Sequence, residues 1–560
     1  MKLRALHTEL QQAHATKSSI STSLKELMNI IESLEPSSVS YSTSEHDGML
    51  DVCPDYFPAK YQGTKSGYPF FHFGWITEKC KNVKPFKDVI TILINLVDHP
   101  DRDQKYVPTV FKGINDSYPM LQVLIAARKG SELKKSVRKY TNMKVIEMEV
   151  KTTSGKAWNI LVASARTPYV LIGRDLSHFS WLVQLERQIR VISSIPQVKV
   201  AGGSFRNTTG HWQVGCYQTK LLNYVLEYKD GYFHSRNECM FCDHLVGPFV
   251  AKTKLVKRVK FDEGLTSEVF MEDWFLRVSG QKHQIMNCPD AMYFTADDYN
   301  FGVHAKIANK HVWLPLAKKW TLNRIVLPHS VIHKYSCGDI GYKCDTGVTD
   351  TIALPVCCSE LQAAAIAFFH DYCKKHNLVY ELDTGTVVSA AKLGTMLPWE
   401  KDGDLILGPE NLTLFLDSDN QKKFQNAGFS LSGFEHPVKD AKGQWKSTGF
   451  FYLKPGPLLY IEVWGFSKMS NNFLPREVRD IETKMMYGGR WVIGPYSPGL
   501  YVRNRYGHEV YKHSQHWTVV GLPNSFSVYN PGSFKKCKTP GFHGCLDRLP
   551  ADGNIPWLVP

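Results

Sequence analysis

Met396-Leu397-Pro398-Trp399-Glu400-Lys401-Asp402-Gly403-Asp404-Leu405 is the stretch on which the reading of this 560-residue chain turns. Asp402 and Asp404 stand two apart on a short predicted strand, so period-two alternation aims both carboxylates at one face of a sheet. About sixty residues on, Leu458-Leu459-Tyr460-Ile461-Glu462-Val463-Trp464 predicts a second strand, apolar but for Glu462. Upstream, Leu382-Asp383-Thr384-Gly385-Thr386-Val387-Val388 predicts a small-residue turn that opens onto a helix. Three acids converging from two strands beside such a turn can hold Mg²⁺ or Mn²⁺ against a diphosphate. Asp-Gly-Asp is also ordinary turn chemistry, and only the upstream turn, Glu462 and the tail described next weigh against that plainer account.

Working outward, Leu361, Ala364, Ala365, Phe368, Phe369 and Tyr372 share one face of a helix predicted over Cys358 to Lys375. Tyr380 to Leu382 follows as a strand and Thr386 to Leu393 as the helix behind the turn. Glycine-threonine turn, Asp-x-Asp strand and later acidic strand form the pattern of the nucleotidyltransferase superfamily. Within it, Tyr380 to Lys392, Leu397 to Leu405 and the tail Tyr501-Val502-Arg503-Asn504-Arg505-Tyr506-Gly507 resemble the LicD family, whose animal members are fukutin-like. The resemblance implies an α+β phosphotransferase that moves a phosphorylated alcohol (ribitol 5-phosphate, glycerol phosphate or phosphocholine) from a CDP-linked donor to a hydroxyl of a glycan or glycoprotein. By position it implies Asp402, Asp404 and Glu462 as catalytic ligands of Mg²⁺ or Mn²⁺. Gly385 and Thr386 would offer N–H groups to the nucleotide phosphates at a helix N-terminus, with Lys392, Arg503 and Arg505 as phosphate-binding cations. Departures from the family pattern are Glu400 at the first acid, Gly403 between the retained pair, Glu462 for Asp, Ser389 for Gly and Lys392 for Arg.

Ahead of this lies a different pattern. Val89 to Val97 is almost continuously apolar, as buried parallel strands are, and Met120 to Ala127, Met143 to Val150 and Tyr169 to Gly173 are further strands. Helices over Ser154 to Ala165 and Phe179 to Ile195 separate some of them, which predicts a doubly wound α/β sheet. Ligands of such sheets sit at the carboxyl ends of strands, where Asp98 and Asp175 fall. Ala157-Trp158-Asn159, Thr167 to Asp175, Phe261-Asp262-Glu263-Gly264 and Glu272 to Arg277 resemble GT-A glycosyltransferases. That resemblance implies a metal site at Asp175 and a base at Asp273. Asp175-Leu176-Ser177 lacks the second metal-binding Asp, so the expectation here is a degenerate transferase used for scaffolding or acceptor recognition.

Cys337, Cys344, Cys357 and Cys358 gather four thiols within 22 residues. Spacing alone leaves tetrahedral zinc and two disulfides open. A similar cysteine loop precedes the catalytic domain of fukutin-related proteins, and that resemblance implies structural zinc on all four.

Leu3, Leu6, Leu10, Ala13, Lys17, Ile20, Leu24, Leu27, Ile31 and Leu34 repeat at alternating spacings of three and four, a coiled-coil pattern broken once by Lys17. A single amphipathic helix is the other account of it. The expected organisation is a coiled-coil stem over 1–35 that makes a homo-oligomer, and a linker and lead-in over 36–84. A GT-A-like domain over 85–325, a cysteine loop over 330–360 and a LicD-like domain over 361–560 follow. A formal charge of +14 suits a polyanionic partner, but the basic residues are scattered and carry no nucleic-acid recognition motif. Three sequons (Asn115, Asn207, Asn411) and thirteen cysteines point to the Golgi or ER lumen, with a type II membrane anchor upstream of Met1. Two rival functions stand beside the phosphotransferase: a glycosyltransferase working through the first domain, and a catalytically dead glycan-binding scaffold.

Overall fold

The computed structural model describes residues 49–56, 61–65, 68–71, 76–77, 80–97, 100–296, 309–344, 351–507 and 536–548. The coiled coil expected over 1–35 and the residue Asp98 lie outside them. Chain contacts separate two units, Met1–Pro85 and Phe86–Pro560. In the first, the stretch expected as a linker carries two small antiparallel pairs, Asp55–Tyr56 with Ile76–Thr77 and Tyr61–Lys65 with Tyr68–Phe71. A Cys53–Cys80 disulfide closes it, and Lys84 meets Asp51 at 2.7 Å.

The second unit is a mixed α/β body built on two large sheets. In the N-terminal part, β1 (Ile90–Asn95), β2 (Val123–Arg128), β3 (Met143–Met148) and β4 (Tyr169–Ile172) run parallel in the order β4-β1-β2-β3. Beyond β4 the sheet continues through β5 (Val198–Asn207), β6 (Phe249–Lys252) and β7 (Gln284–Thr295), in the order β7-β5-β6-β4, with β6 antiparallel to both neighbours. The chain winds outward from β1 to β3 and then returns to β1's other side as β4, so a topological switch point falls between β1 and β4. α1 (Pro100–Ser117), α2 (Ser154–Ser164) and α3 (Leu185–Ser194) connect these strands. The helix expected over Phe179 to Ile195 is broken: Trp181–Val183 is a 3-10 turn, and Gln184 takes φ +45° before α3 starts.

The C-terminal part carries the sheet of interest. β8 (Tyr380–Leu382), β9 (Asp402–Leu407), β10 (Ser430–Glu435), β11 (Phe450–Lys454) and β12 (Tyr460–Gly465) lie in the order β8-β9-β12-β11-β10. Only β9 and β12 are parallel. The long helix α6 covers one face, numbered after α4 (Phe270–Gly280) and α5 (Lys310–Trp320) and running Val356–Lys375. Its residues Ala365, Ile366 and Phe369 are buried with Leu405, Leu407, Phe451, Ile461 and Val463 in one apolar core. The larger of these side chains each contribute about 1.5–3 kcal/mol on leaving water. α7 (Thr384–Leu393) and α8 (Pro498–Tyr506) pack together beside β9.

A hairpin of the N-terminal part is keyed into this core. Its two-residue turn, Asn223-Tyr224, has φ of +50° and +64°, values that such turns normally give to Asn-Gly. Tyr224 is 1% exposed, donates to the carbonyl of Ala353 at 2.6 Å and meets Tyr342, Phe542 and His543 edge-on.

Candidate functional site

The parallel register of β9 and β12 sets Asp404 opposite Glu462 and Asp402 opposite Tyr460. Alternation then puts Asp402, Asp404, Tyr460, Glu462 and Trp464 on one face, and Gly403, Leu405, Ile461 and Val463 on the other. That second face is the buried one. Gly403 lies close to α6: an added Cβ would come within 3.3 Å of Gln362 Nε2 and Ile461 Cγ1, so those side chains would have to yield by a few tenths of an ångström.

The turn before α7 pins Asp404 from both sides of its backbone. The Asp404 carbonyl accepts from the Asp383 N–H at 3.0 Å, and the Asp404 N–H donates to Thr386 Oγ1 at 2.6 Å. Gly385 closes against the carboxylate: a Cβ there would lie 3.4 Å from Asp404 Oδ2. Thr384 takes φ +36°, a left-handed value that a β-branched residue resists and that tends to persist where the surroundings over-determine it. Its N–H donates to the Tyr501 phenol oxygen at 3.2 Å, and that phenol donates in turn to Asp383.

The charges on this face repel one another. Burial pushes the Asp404 carboxyl well above the ordinary range, and Asp402, Asp383 and Glu462 push the same way against the Thr384 hydroxyl. Burial also raises Glu462, the Trp464 indole pulls it back, and Asp402 adds to the rise. The phenols of Tyr460 and Tyr487 are raised by burial and then by the same acids. A set of carboxylates held together in this way has the chemistry of a divalent-cation site, since a bound cation reverses every one of these repulsions. Such oxygens suit Mg²⁺ or Mn²⁺. As they stand, the three carboxylates are not drawn within 4.8 Å of one another, whereas two cysteine clusters among the described residues are. The Glu462 carboxylate instead accepts from Trp464 Nε1 at 3.0 Å, along its own strand.

The expected phosphate-binding cations divide. Arg505 on α8 interacts with Tyr501 and Asp383, at the turn. Arg503 is exposed and bonds to Asn504 at 3.2 Å. Lys392 is eight residues along α7 from Thr384, about 12 Å of helical rise. Burial draws its ammonium down to about 8. The structure therefore sets Gly385 and Thr386 against Asp404 and Arg505 near Asp383, with Lys392 about two turns further along α7 and Arg503 exposed.

Sequence reasoning passed over Glu381. It is 1% exposed on β8, and Ser470 N, Ser470 Oγ, Asn471 N and Asn471 Nδ2 all donate to it at 2.6–2.9 Å. Asn471 also donates to the carbonyl of Gly494 and accepts from Thr483 N–H, so this one carboxylate anchors the segment that leaves β12. Nothing in a lone Glu on a short strand distinguishes it from a solvated residue. Asp383 and Tyr501 were within the quoted motifs, but their mutual contact was not readable.

In the N-terminal part, Asp175 follows the carboxyl end of β4 at φ +54° and meets the buried Arg174 at 3.2 Å. Asp273, on α4, is fully buried. Arg277 Nη2 reaches its Oδ2 at 2.8 Å, while Lys319 at 2.7 Å and Trp320 Nε1 at 2.9 Å hold its Oδ1. Both oxygens of the expected base are therefore committed to fixed donors. The four cysteines expected to bind zinc form two disulfides, Cys337–Cys357 and Cys344–Cys358, and a sulfur bonded to sulfur has no thiolate charge to give a metal. The two bridges sit against each other, with Cys344 and Cys337 sulfurs 3.4 Å apart. Cys239 pairs with Cys288 and Cys242 with Cys216.

No family profile matches the chain. No curated protein sequence matches it either. Among solved structures, GalNAc-T7 with UDP, GalNAc and Mn²⁺ aligns over 40% of this chain and 45% of its own, at 11% identity and a TM-score of 0.32. S. aureus TarS 1-349 in complex with UDP-GlcNAc aligns over 41% and 65%, at 14% identity and a TM-score of 0.29. A mycobacterial protein aligns over 42% and 75%, at 13% identity and 0.28. The chain thus spans less than two thirds of the length of the first two. Likeness of this degree carries no weight on activity, which has to be argued from the residues themselves.

Proposed function

We propose that the C-terminal part is a metal-dependent phosphotransferase of the LicD, fukutin-related kind. It moves a phosphorylated alcohol from a CDP donor to a glycan hydroxyl. The observation that carries this reading is the pairing of Asp404 with Glu462 on adjacent parallel strands, with Asp402 on the same face and the Gly385-Thr386 turn closed against it. A divalent cation held by Asp402, Asp404 and Glu462 would neutralise the donor diphosphate and disperse the charge of the phosphoryl group. The turn orients Asp404 through two backbone hydrogen bonds. Arg505, at the same turn, is the cation best placed to meet a donor phosphate, and its planar fork suits that contact. Tyr460 and Trp464 flank Glu462 on the same face of the sheet.

The GT-A-like reading of the N-terminal part is kept for its sheet alone. Asp273 is committed to Arg277, Lys319 and Trp320, which favours scaffolding or acceptor recognition over sugar transfer there. Six disulfides fit an oxidising compartment such as the Golgi or ER lumen. No helix among the described residues is long and apolar enough to cross a membrane. The test is to incubate the protein with CDP-ribitol, CDP-glycerol or CDP-choline plus an oligosaccharide acceptor and measure CMP. Magnesium-dependent release with one donor is expected. Release that is absent with all three, or unaffected by chelation, overturns the reading.

A further inference from the structure

Glu462 stands directly across from Asp404, yet its carboxylate faces along β12 to the indole of Trp464. Trp464 is 44% exposed and lies against Phe450, with ring centroids 4.5 Å apart. Tyr452 and Tyr460 extend the same aromatic strip on that face. The backbone register needed for a shared ion is already formed, with Asp404 and Glu462 opposite each other on adjacent parallel strands. A rotation of the Glu462 side chain toward Asp402 and Asp404 is opposed by the hydrogen bond to Trp464 and by the repulsion of Asp402.

We propose that Trp464 is a positioning latch: its indole N–H and a divalent cation compete for the Glu462 carboxylate. The inference rests on the cation site argued above. In the latched state the Glu462 carboxylate is held by the Trp464 indole. In the released state Glu462 completes the set with Asp402 and Asp404, and the indole edge is left as an unused donor at the rim of the acidic face. A carboxylate has two oxygens, so the opposite arrangement is chemically simple: Trp464 could keep its bond and steady a coordinating Glu462. The two differ in sign. A latch weakens cation binding, whereas a steadying bond strengthens it.

The experiment uses the full chain labelled with 5-fluorotryptophan and titrated with Mg²⁺. The Trp464 fluorine resonance is identified by its loss in Trp464→Phe, and calorimetry gives the Mg²⁺ affinity of both proteins. Trp464→Phe is expected to bind Mg²⁺ about three- to ten-fold more tightly, the effect of one partly solvated hydrogen bond. The Trp464 resonance of the unsubstituted protein should move over the same Mg²⁺ range as the heat. Mg²⁺ binding with equal or weaker affinity in Trp464→Phe, or with a static Trp464 resonance, overturns the latch and leaves the cation site standing. Absence of Mg²⁺ binding in both proteins overturns the latch together with the cation site.

Discussion

Asp404 bears the heaviest electrostatic load on the acidic face, with burial and three neighbouring carboxylates all favouring its protonated form. Glu462 is raised as well. A carboxylate whose folded pKa exceeds its unfolded one contributes stability at low pH and loses it as pH rises through the folded value. The cation-free protein is therefore expected to gain thermal stability as pH falls through the raised folded values of Asp404 and Glu462, and Mg²⁺ is expected to flatten that slope. Melting curves in chelator and in Mg²⁺ measure both. Asp404→Asn removes one charge without changing shape, so it should lower CMP release by about 100-fold or more while leaving the melting temperature in chelator equal or higher. Lys392 has the opposite sign. Its ammonium is penalised by burial, and the penalty is relieved as pH rises past about 8. Lys392→Met is expected to stabilise the fold by about 1–3 kcal/mol at pH 7, with a smaller gain near pH 10, as read by denaturant titration.

At the scale of elements, the turn before α7 and the anchor at Glu381 set where the acids stand. Thr386→Val leaves the Asp404 N–H without its acceptor, an expected loss of about 1–3 kcal/mol in denaturant stability and a larger relative loss of Mg²⁺ affinity. Glu381→Gln places an amide N–H₂ among four donors and is expected to cost about 2–4 kcal/mol, with no direct effect on the cation. Alternation along 402–404 and 460–464 was enough to place the three acids on one face, because a strand's side-chain period is fixed by covalent geometry. The stripe expected on α6 was only partly readable: Ala365, Phe369 and Tyr372 are buried, whereas Leu361 and Ala364 are exposed and Gln362, Ala363 and Ile366 take the inward face. Other features were beyond reach. A positive φ at Thr384 or Gln184 depends on tertiary contacts rather than on residue type, which is why the helix expected over Phe179 to Ile195 breaks. The partners of Glu381 lie some ninety residues away. Cysteine pairing depends on which sulfurs the fold brings together, so spacing left zinc and disulfides level.

Across the whole molecule, the two parts of Phe86–Pro560 share one body through the Tyr224 key. Tyr224→Ala should cost about 3–5 kcal/mol, since it empties a site lined by three rings. Loss of the cooperative unfolding transition shared by both parts is the accompanying expectation. Twelve of the thirteen cysteines are paired, and only Cys373 is a free, buried thiol. Thiol titration of the denatured, unreduced protein is expected to return a single thiol. Five would mean that Cys337, Cys344, Cys357 and Cys358 hold zinc after all. The central claim concerns Asp402, Asp404 and Glu462, and anomalous diffraction from crystals soaked with Mn²⁺ and CDP tests it most directly. The expected result is a manganese peak within about 2.5 Å of oxygens from all three residues, with the cytidine diphosphate bound alongside. Manganese at Asp175 with none between β9 and β12 would contradict it.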